Sequence, residues 1–421
     1  MFEVSRRQLL GAGAIAGCMS SRVLGANDRI AIASIGTGNQ GGYNLGMALQ
    51  QPGVEVVAVC DVFEPSMKKA VGTSKGRAKP VKDFREILQD KSIDAVCIST
   101  PDHWHAYMTV EACKAGKDVY VEKPVCTVLE EGRMMVEAAR KCGRVVQVGT
   151  MQRSGEHFQK AVEVVRSGKI GQVTFCRTWN FGNLVQEGFG NPPDQKPPAD
   201  LDWDMWLGPA PERPYNPARF LKGQWRHFRD YGGSLMTDWG VHLLDIVQMA
   251  FGDLPPTAVT ALGSKYYLKD SRDYPDTFLA AYEYPEFAAT YEYRFGNAQL
   301  PYDNRGYGIL FHGTKGSLFV DRSLYRIIPE KNSTLQPEEV KSSNQMNKAH
   351  WANFLECIKT RKRPVCDIEI GYRTTATCLL GNVAWRSRQR VDWDSQNETT
   401  VQESARRFLT REYRAPWKLT V

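Results

Sequence analysis

Arg29-Ile30-Ala31-Ile32-Ala33-Ser34-Ile35 runs directly into Gly36-Thr37-Gly38-Asn39-Gln40-Gly41. A helical pattern follows through Leu49, and then comes Val54-Glu55-Val56-Val57-Ala58-Val59-Cys60-Asp61. Strand, glycine-rich turn, helix, strand and acid follow one another within about thirty residues, which is the order of a dinucleotide-binding βαβ unit. Gly36 suits the tight turn, Gly38 lets backbone approach a pyrophosphate, and Gly41 permits close helix packing. Asn39 and Gln40 open the helix, where free N–H groups and the helix dipole favour an anion. Asp61, twenty residues past Gly41, is placed to accept hydrogen bonds from ribose hydroxyls. Val62 and Phe63 follow it with no adjacent arginine, which favours NAD over NADP.

The alternation continues downstream. Ile93–Thr100 reads as a strand ending in Pro101-Asp102-His103-Trp104-His105, with a helix from about Ala106 to Ala115. Lys117–Val121 reads as another, ending in Glu122-Lys123-Pro124, and Gly143–Gly149 as a third. In parallel sheets ligands bind at the carboxyl ends of strands. Thr100, Pro101, His105, Glu122 and Lys123 therefore join the glycine turn and Asp61 as cofactor-lining candidates. His103 and His105 have no third ligand at a suitable spacing, so no metal site is expected.

The chain has 421 residues, 42% hydrophobic and 24% charged, which excludes a disordered, collagen-like or disulfide-scaffold protein. Its length suggests two to four domains. A net charge of +7 without any block of like charges gives nucleic-acid binding little support. No segment has the length of apolar sequence that a transmembrane helix needs.

The first 26 residues read as a targeting segment. Ser5-Arg6-Arg7-Gln8-Leu9-Leu10 precedes a short Gly/Ala-rich apolar run, the form of a twin-arginine export signal. Two processing sites compete. Ile15-Ala16-Gly17-Cys18 resembles a lipobox that would leave a lipid anchor on Cys18, and Val23-Leu24-Gly25-Ala26 suits ordinary cleavage. The expected location is the periplasm, or the cytoplasm if the signal is not used. The other nine cysteines form no CxxC pair or zinc-like spacing and read as reduced core residues. That suits a chain folded before export.

Residues 151–421 read as a second domain after a nucleotide domain over 27–150. A helix is expected from Gly155 to Ser167, and strands at 171–180, 257–268, 277–284, 287–295, 308–314 and 316–321. Several alternate polar with apolar residues, which predicts a half-exposed, mostly antiparallel sheet. Such an open face predicts a homo-oligomer, a dimer or tetramer. A proline-rich stretch over 186–217 carries Trp203, Trp206 and Tyr215 and reads as an ordered wall near the site. Gly232–Asp245 is the richest in chemistry. On one continuous helix Asp238 and His242 share a face, with Asp245 a turn further on. A carboxylate beside an imidazole can raise its pKa and orient the ring as a general base.

The succession Gly36-x-Gly38-x-x-Gly41, Asp61, Glu122-Lys123-Pro124 and Asp238-x-x-x-His242 resembles the glucose–fructose oxidoreductase, inositol dehydrogenase and MocA family over about residues 28–395. The resemblance implies an α/β chain: a Rossmann domain followed by an α+β domain with an open-faced sheet. It implies an NAD(P)-dependent oxidoreductase acting on a CH–OH group. Lys123 would then hydrogen-bond the substrate hydroxyl, His242 would take its proton, Asp238 would position substrate or histidine, and Glu122 would lie near the nicotinamide ribose. Relatives that act as redox-neutral NAD-dependent glycosidases often lack the lysine, so its presence favours a dehydrogenase. A redox-neutral hydrolase or epimerase, and a non-catalytic sugar- or NAD-binding protein, are the alternatives.

Export bears on the cofactor. NAD is scarce outside the cytoplasm, so a preloaded, non-exchanging cofactor is expected, reset within the cycle or by a second substrate. The expected substrate is a carbohydrate, with Trp179, Trp203, Trp206, Trp225 and Tyr231 available to stack on sugar rings.

Overall fold

Apolar runs with no polar alternation build the first sheet, because both of its faces are covered. The computed structural model describes residues 29–299 and 305–421. The twin-arginine stretch, both processing sites and Cys18 lie outside the described residues. Strands β1 (Ile30–Ile35), β2 (Val54–Cys60), β3 (Lys79–Val81), β4 (Ala95–Ile98), β5 (Asp118–Val121) and β6 (Val146–Val148) form one sheet. Its order is β3-β2-β1-β4-β5-β6, all parallel. This is the doubly wound dinucleotide-binding order, with its crevice where the order reverses between β1 and β4.

The second sheet has ten strands: β7 (Val173–Phe181), β8 (Ala258–Ser264), β9 (Thr277–Glu283), β10 (Ala288–Arg294), β11 (Tyr307–Gly313), β12 (Gly316–Val320), β13 (Leu324–Pro329), β14 (Glu338–Lys341), β15 (Val391–Asp394) and β16 (Thr399–Thr400). Their order is β14-β13-β12-β11-β7-β10-β9-β8-β15-β16. The pairings are antiparallel except β7 with β10. Strict alternation on β9 and β10 puts Phe278, Ala280, Tyr282, Ala289, Tyr291 and Tyr293 into the core.

Two late helices tie the sheets together. Met346–Thr360 returns to the first sheet, where Trp351 stacks on Tyr120 of β5 at 4.4 Å. Ile368–Ser387 runs between the sheets. A Cβ on its Gly371 would meet Val148 of β6 at 2.4 Å, and one on its Gly381 would meet Tyr282 of β9 at 2.8 Å. Glycine at these two positions lets the helix lie against both.

The proline-rich stretch is ordered by its aromatics. Trp203 stacks on Trp206 at 4.6 Å, and Trp206 meets Tyr231 edge-on at 4.9 Å. Trp206 O accepts hydrogen bonds from His103 Nε2 and Trp104 Nε1, both at 3.0 Å. These bonds fasten the stretch to the end of β4. The C-terminal residues brace the same region: Arg411 pairs with Glu131 at 2.6 Å, and Trp417 packs edge-on against Trp104. Among the described residues no helix is long and apolar enough to cross a membrane, and no His/Cys/Asp/Glu group suited to a metal is found. The nine described cysteines are buried.

Candidate functional site

A cleft of about 620 Å³ opens at the carboxyl ends of β1, β2, β4 and β5 and is closed on its far side by the second domain. Gly36, Gly38, Asn39, Gln40, Asp61, Thr100, Pro101, His105, Glu122, Lys123, Asp238 and His242 all line it. Gly41 stands behind the wall. A Cβ there would lie 1.9 Å from Gly36 O, so its role is the close approach of helix to turn.

The glycine turn has the shape an anionic cofactor needs. Gly36 sits at φ +79°, and a Cβ on it would meet Thr100 N at 2.7 Å. A Cβ on Gly38 would meet no protein atom within 4 Å and would project into open space. No side chain caps the helix Asn39–Leu49, so its first N–H groups remain available. Asp61 Oδ2 accepts from Thr37 N at 2.7 Å and Thr37 Oγ1 at 3.0 Å, and its Oδ1 accepts from Phe63 N at 2.9 Å. These bonds lock the turns after β1 and β2 together and leave lone pairs for ribose hydroxyls. These residues fit a dinucleotide.

Deeper in, Glu122 is held by amides. Its Oε1 accepts from Gln40 Nε2 at 3.0 Å and Asn44 Nδ2 at 2.9 Å, and its Oε2 accepts from Lys123 N at 3.2 Å. His105 Nδ1 lies 2.7 Å from Pro124 O and Nε2 lies 2.9 Å from Thr100 O, so it bridges the ends of β4 and β5. Burial pushes its pKa down to about 4 against the pull of the two carbonyls. A neutral His105 ring donates to only one of these carbonyls, according to its tautomer.

The catalytic candidates are arranged differently from a single helical face. The chain breaks at Trp239, so Asp238 ends the helix Ser234–Asp238 and His242 sits in the first turn of Gly240–Ala250. Asp238 Oδ1 accepts from Lys123 Nζ at 2.5 Å and from Arg226 Nε at 3.2 Å. Asp238 therefore serves two cations, and no hydrogen bond joins it to His242. Burial alone would raise the Asp238 pKa, but the Lys123 and Arg226 charges outweigh it and hold the carboxylate ionised. His242 Nδ1 is buried without a hydrogen-bond partner among the described residues. Burial, then the Arg322 and Lys123 charges, lower the His242 pKa well below 6.5, and Asp238 only partly opposes them. The expected raised pKa is thus reversed in sign. Asp245 lies outside the cleft: it is fully buried in an ion pair with Arg153 at 2.9 Å and accepts from Thr374 Oγ1 at 2.9 Å.

The aromatic wall is also redistributed. Trp206 and Trp225 face the cleft, as do Trp104 and Trp239. Trp203 backs Trp206, and Tyr231 is buried behind it. Trp179 packs against Phe319 on the second sheet, with Nε1 donating to Arg305 O. Neither arginine of the wall, Arg226 or Arg322, carries a motif that sequence reading would find. Asp102 was also missed. It is buried beside Arg226 and Lys123 with Oδ2 unpartnered, and burial raises its pKa well above the usual carboxylate value.

Lys123 is thus a fixed cation that faces the cleft, next to an imidazole available as a neutral base. Because His242 titrates below its ordinary value, its basic form persists at lower pH. The acid limb of kcat/KM should therefore lie below pH 6.5 and, if His242 is the base, should disappear in His242→Ala. A pH profile of both proteins checks this.

The chain is similar to known proteins. The NAD-binding Rossmann model of the Gfo/Idh/MocA oxidoreductase family matches residues 30–150, and that family's C-terminal alpha/beta model matches residues 158–263. Inositol 2-dehydrogenase of Rubrobacter xylanophilus is 32% identical over 167 residues, which span 39% of this chain and about half (47%) of that protein. The scyllo-inositol 2-dehydrogenase (NAD(+)) of Bacillus subtilis is 26% identical over 370 residues, 82% of this chain and 93% of that one. Among solved structures, the WlbA dehydrogenase of Bordetella pertussis, in complex with NADH and UDP-GlcNAcA, superposes with a TM-score of 0.67 at 19% identity. It covers 87% of this chain and 99% of that one. The two adjoining models together span more than half of the sequence, and the chain belongs to the Gfo/Idh/MocA oxidoreductase family, with NAD as the cofactor of its first domain.

Proposed function

We propose that the protein oxidises a secondary hydroxyl of a sugar, polyol or glycoside, using a tightly held NAD. Lys123 carries the reading. It is a cation fixed by Asp238 at the end of β5, between the glycine turn and the neutral ring of His242. Bound NAD supplies the hydride acceptor. In this reading Lys123 Nζ donates to the substrate oxygen and stabilises negative charge as the O–H proton leaves. His242 accepts that proton on a ring nitrogen, which its lowered pKa keeps free. Asp238 and Arg226 hold Lys123 in place, and Glu122 orders Gln40 and Asn44 beside it. Trp206 and Trp225 offer apolar faces to a sugar ring. The inositol dehydrogenases among the relatives act on polyols by name, which supports the substrate class.

We further propose that residues 1–26 direct export by the twin-arginine route to the periplasm, with Cys18 a candidate lipid anchor. The division at about residue 150 and assembly as a dimer or tetramer through the second sheet belong to the same proposal. Nine buried cysteines suit a chain that folds around its cofactor before export. The protein purified without added nucleotide should carry nicotinamide at close to one equivalent per chain, retained through gel filtration and quantified by mass spectrometry. Cofactor-free protein that binds NAD weakly and exchanges it rapidly would overturn the tight-binding reading.

A further inference from the structure

Four cationic side chains line the cleft: Lys82, Lys123, Arg226 and Arg322. Lys82 pairs with Glu64 at 3.1 Å, and Lys123 and Arg226 share Asp238. Arg322 has no carboxylate in an ion pair among the described residues. Its Nε donates to Gln152 Oε1 at 3.0 Å, and its guanidinium lies over Trp239, 4.9 Å from the ring centroid, with Tyr307 at 6.0 Å. Its two Nη groups have no hydrogen-bond partner among the described residues. A half-buried guanidinium with its fork open to a cleft is a ready carboxylate receptor, since a charge-assisted bidentate bond offsets the desolvation it already bears.

The position is built. Asp321 Oδ1 accepts from Ser323 N at 2.8 Å and Leu324 N at 3.1 Å, which fixes the turn that carries Arg322. Gln152 Nε2 donates to His242 O at 2.8 Å while its Oε1 holds Arg322. One amide side chain therefore sets the arginine's place relative to the proposed base. The Trp239 ring contacts both, its centroid 6.1 Å from that of His242. His242 and Arg322 thus line one cleft and both contact Trp239, so one small substrate can meet both.

We infer that Arg322 binds a carboxylate of the substrate, so that the oxidised hydroxyl belongs to a sugar acid rather than a neutral sugar. This rests on the dehydrogenase reading above and narrows its substrate class. Among the Lys and Arg side chains lining the cleft, Arg322 is the one without a carboxylate partner among the described residues, and its open fork matches the two oxygens of one planar carboxylate.

The test is binding to NADH-loaded protein, followed by tryptophan fluorescence, with D-glucuronate, D-glucose and D-glucose 6-phosphate as probes. D-glucuronate should bind at least about tenfold more tightly than D-glucose. R322Q should abolish that gap while NADH affinity stays within about twofold, and R322K should restore part of it, as a point charge without the fork. Equal affinities, no binding by any probe, tighter binding of the phosphate, or a gap that survives in R322Q would each overturn the assignment. Loss of NADH from R322Q would assign Arg322 to the cofactor instead and would also overturn it. Failure of the dehydrogenase reading looks different: the acid would still bind selectively, yet no probe would reduce NAD in the loaded enzyme.

Discussion

Lys123→Ala is expected to lower kcat by about 10²- to 10⁴-fold, the usual worth of a group that stabilises charge and assists proton removal at the reacting oxygen. NAD affinity should stay within about twofold, because the glycine turn, Asp61 and the amides that hold Glu122 do not depend on the lysine side chain. The fold should also survive. Asp238 keeps its bond from Arg226 at 3.2 Å, so removing Lys123 does not leave a buried carboxylate without a cation. Lys123→Arg should recover little, since a planar guanidinium cannot reproduce a compact ammonium held 2.5 Å from Asp238. Steady-state kinetics with NADH titrations separate the two effects. A variant with unchanged kcat would remove Lys123 from the chemistry.

The second large effect divides two glycines that a motif treats alike. Gly41→Ala forces a Cβ to within 1.9 Å of Gly36 O, a backbone atom that cannot swing away. Turn and helix must separate, and a loss of at least about 3 kcal/mol is expected, together with loss of NAD binding. Gly38→Ala places its Cβ in open space, so stability should change by less than about 1 kcal/mol. That methyl group fills the space that a pyrophosphate needs, and NAD affinity should fall on the order of tenfold to a hundredfold. Thermal melts with and without NAD distinguish them: Gly38→Ala should melt normally and gain little from NAD, whereas Gly41→Ala should melt early.

Five strands of the first sheet were legible because a parallel strand buried on both faces reads as a continuous apolar run, and the glycine turn punctuates it; the short, half-exposed β3 (Lys79–Val81) was not. The half-exposed strands β9 and β10 were legible from their alternation. Strands β13 to β16 were not: Leu324–Pro329 and Glu338–Lys341 carry their signal in long-range pairing rather than in composition. The return of Met346–Thr360 to Tyr120 is a contact between distant parts of the chain, and no local pattern announces it. In the site, Lys123, Asp238 and His242 were found together by motif, but their relations were not. A helical wheel assumes an unbroken helix, and the break at Trp239 lets Asp238 turn to Lys123 and Arg226 instead of His242. Asp245 lies on the same unbroken helix as His242, yet the packing of that helix turns it to Arg153 in the core, away from the cleft. Arg226 and Arg322 are single arginines within irregular sequence, made functional candidates only by what folding brings beside them.

In the proposed chemistry Lys123 and bound NAD face the same hydroxyl. Rapid mixing of NAD-loaded protein with a panel of polyols, sugars and sugar acids, followed by the near-ultraviolet absorbance of reduced nicotinamide, tests it most directly. A burst is expected for at least one hydroxyl substrate, bounded by the bound cofactor and absent from Lys123→Ala. A fully loaded protein that gives no burst with any member of the panel, or a Lys123→Ala burst equal to wild type, would contradict it.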